Sequence, residues 1–191
     1  MRRDFKADDY LHLADTLAGR TAGCGRPWTA YLRRATSTAY YALFHELVQH
    51  GARRAARNGP VEHQQAIGRW YAHGNFKKVA RWVEDIAAGR TPPSPVRLLL
   101  VDSASWRVPV DLEVLASAFN ELLEARHGAD HDPAFDATRL DTLGHINTAR
   151  SGIEAIKRMD KADLHQFDMF CLLALGGVPG LTPAGRSRRR R

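Results

Sequence analysis

Apolar residues recur along this chain with the spacing of helices rather than strands. Between 111 and 127, Leu112, Leu115, Phe119 and Leu122 are three or four positions apart, the repeat that lines one helix face. Asp111 after Pro109 is a suitable N-cap. Over 28–50, Leu32, Ala39, Leu43 and Leu47 mark a core face. Ile67, Trp70, Val79, Trp82 and Ile86 do so over 61–88, with Gly74-Asn75 as a candidate break. Leu140, Leu143, Ile146, Ile153 and Ile156 form the stripe of a helix at 138–158, where Thr138 and Asp141 resemble a capping box. Further helices are expected at 5–18 and 161–175. The stretch 89–109 holds Pro92-Pro93-Ser94-Pro95 and then Arg97-Leu98-Leu99-Leu100-Val101. It reads as a long surface loop with one packed apolar piece, the kind of loop that often serves as a lid or partner arm. Strand alternation, a glycine-rich phosphate loop and internal repeats are absent from the sequence. The pattern predicts an all-α domain at 1–175 and a disordered Arg-rich tail at 176–191.

The stripe at 111–127 lands on Arg126, where a core residue is expected. A buried charge needs a partner, and the plain reading is an internal ion pair with an acid of another helix. The same arginine opens the segment Arg126-His127-Gly128-Ala129-Asp130-His131-Asp132-Pro133. It combines a cation suited to a phosphate with an imidazole able to move protons near neutral pH. Metal-free RNA cleavage requires those two groups. An arginine followed by a histidine after four to six intervening residues occurs four times, at Arg57/His63, Arg126/His131, Arg139/His145 and Arg158/His165. Only Arg126 follows a clean helix and has a polar neighbour in His127. Gly128 is expected to stop the helix, and Asp132-Pro133 to prevent its continuation. In an unbroken helix, residues five apart point about 140° away from each other. A stop at Gly128 would free His131 to fold back toward Arg126 or toward a second copy of the site. The plain alternative is a solvated loop histidine. A metal site from His127, Asp130 and His131 is a third arrangement, disfavoured by Gly128 and by the lack of an acid in the usual base position.

A second segment, 32–47, carries Arg34, Thr38, Tyr41 and His45 along one line opposite its core face. It reads as a surface for RNA or a partner subunit, or as the edge of an ordinary amphipathic helix.

Together the two segments resemble a known family. Arg-Arg-Ala-Thr-Ser-Thr-Ala-Tyr-Tyr-Ala-Leu-Phe-His at 33–45 looks like the second-helix signature of one branch of HEPN-domain proteins (higher eukaryotes and prokaryotes nucleotide-binding). Arg126 to His131 is similar to that family's R-polar-x-x-x-H motif. Ala-Asp-His-Asp at 129–132 resembles a stretch that often reads Ala-Asp-Tyr-Asp there, so His131 stands where an aromatic residue is common. The resemblance implies an antiparallel bundle of four main helices with shorter additional ones, and a homodimer whose Arg/His motifs meet across the interface. It implies a metal-independent endoribonuclease without a cofactor, acting on RNA such as tRNA or mRNA. It also implies a toxin or phage-defence setting with a nucleotidyltransferase-type antitoxin. Arg126 would hold the scissile phosphate and His131 would move protons. His127 occupies the polar second position, and Asp130, Arg34, Thr38, Tyr41 and His45 are supporting candidates. A non-catalytic HEPN module binding RNA, a nucleotide or a partner protein is the other reading.

Composition narrows this little further. The chain has 191 residues and is long enough for one domain with a real core. No apolar run reaches membrane-spanning length, and the N-terminus lacks a signal-peptide core. Two distant cysteines, Cys24 and Cys171, fit a cytoplasmic protein with reduced thiols and cannot supply paired zinc ligands. Of the formal charge of +7, Arg186 and Arg188 to Arg191 supply five, leaving +2 for the rest. Such a tail can hold RNA through phosphate contacts. From 51 to 100 there are nine Lys or Arg against Glu62, Glu84 and Asp85, and from 111 to 136 seven acids against Arg126 alone. The basic stretch is the better RNA track. The acidic one is suited to dock on a basic partner or on this chain's own basic helix.

Overall fold

The computed structural model describes residues 6–20, 27–57 and 59–176 of the chain. Their fold is all-helical, as the periodicity predicts, with no strand and with eight helices in place of the six expected. They are α1 (Ala7–Leu17), α2 (Thr29–Ala55), α3 (Val61–Gly68), α4 (His73–Ala87), α5 (Ser94–Leu100), α6 (Val110–His131), α7 (Arg139–Lys161) and α8 (His165–Ala174). Cys24 and the Arg-rich tail past Gly176 lie outside the described residues. No helix among the described residues is long and apolar enough to cross a membrane.

The long helices form an all-α bundle around α2. Thr36 meets His145, and His50 meets Asp160, so α2 and α7 run in the same direction. Gly152 permits their close approach, since a Cβ there would lie 2.9 Å from Leu43 Cδ1 and 3.2 Å from Ala118 Cβ. Asp111 pairs with Arg158, and Glu121 accepts from Thr148, so α6 runs antiparallel to α7. Asp15 pairs with Arg150, and Arg139 donates to the carbonyls of Ala18 and Gly19, so α1 is antiparallel to α7 as well. The predicted α2 stripe of Leu32, Ala39, Leu43 and Leu47 is buried throughout. Phe76, Phe119, Phe167 and Phe170 fill the space where α4 and α8 close the bundle.

Several sequence expectations change. The span 61–88 is broken at Arg69–Ala72, ahead of Gly74-Asn75, which falls in the first turn of α4. The break turns Tyr71 inward onto Phe76, with ring centroids 4.9 Å apart, and leaves Trp70 exposed. The stretch 89–109 contains α5, with Pro93 as N-cap and Pro95 in the first turn, where a missing N–H is harmless. Val96 and Leu100 are its packed apolar piece. Leu140 is 80 % exposed, because it lies in the first turn of α7 on the rim of a groove with Phe135, Asp136 and His145. The Thr138 cap is formed, with Asp141 N donating to Thr138 Oγ1 at 3.1 Å, and the Asp141 carboxylate accepts from the Thr138 hydroxyl at 2.6 Å. Lys77 pairs with Glu124 and Asn120 donates to Glu84 at 2.9 Å, so part of the acidic stretch docks on this chain's own basic helix α4.

Candidate functional site

Helix α6 does not stop at Gly128. It continues to His131 and ends at Asp132, ahead of Pro133. Gly128 has another role. After Pro133 the chain reverses and lays Phe135 over it, so a Cβ at 128 would lie 2.5 Å from Phe135 Cδ2. Arg33 of α2 holds this reversal. Its Nε donates to Ala129 O at 2.9 Å, its Nη2 to Asp132 O at 2.8 Å and its Nη1 to Phe135 O at 3.2 Å. A helix end leaves such carbonyls without intrahelical partners.

Because α6 is continuous, Arg126 and His131 point about 140° apart, and His131 does not fold back onto Arg126. His131 is exposed beside His127, with ring centroids 5.1 Å apart. Arg126 turns toward α2 instead. Its Nη2 donates to Tyr41 Oη at 2.8 Å, and its guanidinium carbon lies 5.5 Å from the Tyr41 ring centroid. Its Nε lies 2.7 Å from Asp130 Oδ2, and the two side chains are each 23 % exposed. The Nε N–H is not aimed at that oxygen, so the contact is an ion pair rather than a linear hydrogen bond. The expected internal pair therefore exists, but its acid is one turn along the same helix instead of on another one. Asp130 Oδ1 also accepts from Ser37 Oγ at 2.5 Å.

Two imidazoles adjoin the pair. His45 lies between the rings of Tyr41 and Tyr10, at centroid distances of 6.1 and 6.2 Å. His73, the first residue of α4, stacks on Phe44 at 3.9 Å between centroids, and a hydrogen bond joins its Nδ1 and Tyr40 Oη. Burial lowers the pKa of both histidines, and the charges of Arg126 and His45 lower that of His73 further. Burial raises the pKa of Tyr40, against the pull of Arg126. At neutral pH the surroundings of Arg126 thus hold neutral imidazoles and neutral phenol, with Asp130 as the adjacent countercharge.

The sequence candidates divide accordingly. Arg126, Asp130, Tyr41 and His45 converge. His127 and His131 lie on the outer face of α6. Thr38 is buried, and its hydroxyl donates to Arg34 O at 2.7 Å within its own helix. Arg34 is exposed and makes no ion pair among the described residues. No group of His, Cys, Asp and Glu among the described residues is disposed to hold a metal, and Asp130 turns to Arg126 rather than toward His127 and His131. Ser37, Tyr40 and His73 join the site without having been candidates. Ser37 and Tyr40 sit within the 33–45 signature, whereas only the crossing of α4 over α2 brings His73 in. No family model, curated protein or solved structure matches this chain.

Proposed function

We propose that the chain is a HEPN-type, metal-independent endoribonuclease with its site at Arg126. The observation that carries this reading is the meeting of two segments distant in sequence. Arg126 binds Tyr41, Asp130 binds Ser37 and Arg33 binds the end of α6, so the 33–45 signature and the Arg/His motif form one unit. In the proposed reaction the RNA 2′-oxygen attacks the adjacent phosphorus and the 5′-oxygen leaves. The products carry a 2′,3′-cyclic phosphate and a 5′-hydroxyl. Arg126 offsets charge on the phosphate, and His131 moves protons. Since His131 points away from Arg126 on its own helix, a second copy supplies the imidazole that works with a given arginine, in keeping with the homodimer the resemblance implies. A toxin or defence role, held in check by a nucleotidyltransferase-type antitoxin, belongs to the same proposal.

The test is RNA cleavage in EDTA by wild type, Arg126→Ala and His131→Ala, each checked for folding. Metal-free cleavage lost in both folded variants is the expected result. A 5′-phosphate product, or activity abolished by chelator, would exclude this mechanism. A second reading, a non-catalytic module binding RNA, a nucleotide or a protein, draws support from the engagement of Arg126 on both sides by Tyr41 and Asp130. Collapse of the fold on Arg126→Ala, with His131→Ala harmless, would favour it.

A further inference from the structure

Asp130 sits between Arg126 of its own helix and Ser37 of α2. One carboxylate oxygen lies 2.7 Å from Arg126 Nε, and the other accepts from Ser37 Oγ at 2.5 Å. A guanidinium charge beside one oxygen and a hydroxyl donating to the other are groups that a phosphate can use as well. Tyr41 Oη holds the far side of the same guanidinium at 2.8 Å. The site as it stands is electrically balanced, since neither His45 nor His73 carries a charge near neutral pH.

Asp130 is also in the last turn of α6, at the negative end of the helix, where a carboxylate is disfavoured. Its place depends on Arg126 and Ser37 rather than on the helix. Asp130 is exposed as a residue, so solvent adjoins it and the carboxylate has room to swing outward.

We propose that Asp130 is an internal competitor for the Arg126 anion site, a carboxylate that a phosphate of single-stranded RNA must displace. This rests on the reading of Arg126 as a phosphate-binding residue, but not on catalysis. Asp130 thereby sets the affinity of the site rather than adding to substrate binding, the opposite sign from the role suggested by its place in the motif.

The experiment is fluorescence anisotropy with a 2′-O-methyl RNA oligonucleotide, which lacks the attacking hydroxyl, and with inorganic phosphate as competitor. Asp130→Asn keeps the shape and a hydrogen-bonding oxygen while removing the charge. It should bind about tenfold more tightly than wild type. Asp136→Asn, at an exposed acid in the segment before α7, makes the same change in net charge and should gain much less. The gain should vanish when Arg126→Ala is added. Asp130→Ala, which removes the carboxylate and leaves both Arg126 and the Ser37 hydroxyl in place, should show a gain of the same sign and serves if Asp130→Asn does not fold. Unchanged or weaker binding in a folded variant overturns the proposal, as does a gain equal to that of Asp136→Asn or one that survives loss of Arg126. Metal-free cleavage is measured separately. Tighter binding by Asp130→Asn with no cleavage by any variant keeps the competitor and removes the nuclease reading. Cleavage with unchanged binding does the reverse.

Discussion

Gly128 shows how one residue type can serve two opposite purposes. A glycine near the end of an apolar stripe commonly marks a helix stop, yet here it sits inside α6 because Phe135 covers it. Alanine at 128 would gain about 1 kcal/mol of helix propensity. Its Cβ would press into the Phe135 ring, and overpacking of that kind costs about 1–3 kcal/mol. The clash is with a ring held between α6 and Arg33, whose guanidinium lies 5.9 Å from its centroid, so it has little room to move. Gly128→Ala is expected to destabilise by about 1 kcal/mol net in urea denaturation. In a Phe135→Ala background the same change should stabilise. Equal effects in both backgrounds would mean that the ring is not what excludes a side chain.

At the scale of elements, two arginines on opposite ends of α2 join it to its neighbours. Arg33 closes the C-terminal end of α6 through three carbonyls. Replacing it by methionine keeps much of the apolar stem and removes all three charged donors. The expected loss is about 2–3 kcal/mol, accompanied by faster amide exchange in the last turn of α6. Arg54 sits at the other end, with its side chain 8 % exposed among Asp160, Asp163 and Asp168. These carboxylates, Asp168 foremost, hold it firmly charged. They belong to α7, the turn after it and α8, so one guanidinium fastens three pieces of chain. Arg54→Met leaves Asp168 without a cation, while Asp160 keeps His50 and Arg53 and Asp163 keeps Arg57, and a loss of about 2 kcal/mol is expected in the same denaturation assay. Neither anchor was legible in the sequence. Periodicity located the helices and the buried stripe of α2, because burial repeats with the helix. The partners of Arg33 are backbone carbonyls about a hundred residues away, and no side-chain pattern encodes them. The extra turn of α6 was misread for the same reason, since its glycine answers to a distant phenylalanine.

Across the whole molecule, the readable part of the site was its local part. Arg126 at the end of the α6 stripe and the α2 line through Tyr41 and His45 lie on two helices whose faces follow from spacing, whereas Asp130 lies in the turn beyond the stop expected at Gly128. The place of His73 depends on how α4 crosses them, which spacing does not fix. The histidines have a collective consequence for stability. Burial is the leading cause that lowers the pKa of His45, His73 and His145, although Glu121 and Asp141 pull His145 the other way. As pH falls through about 6.5, the unfolded chain takes up protons on these rings while the folded chain does not. The unfolded state then binds more protons, so stability that is fully present above that pH declines below it. The carboxyl of Glu46 is held below its ordinary range, chiefly by its hydrogen bond with His50, so its contribution is lost only at more acid pH. Between pH 7.5 and 5.5 the histidines therefore govern the change. Solvent screening of half-exposed rings limits the total to about 1 kcal/mol, or a fall of roughly 2–4 °C in melting temperature for a chain of this size. Calorimetry across that window should show the decline, and combining His45→Gln with His145→Gln should flatten it. A melting temperature that holds steady or rises on acidification would mean that these rings are as free to protonate in the folded chain as in the unfolded one.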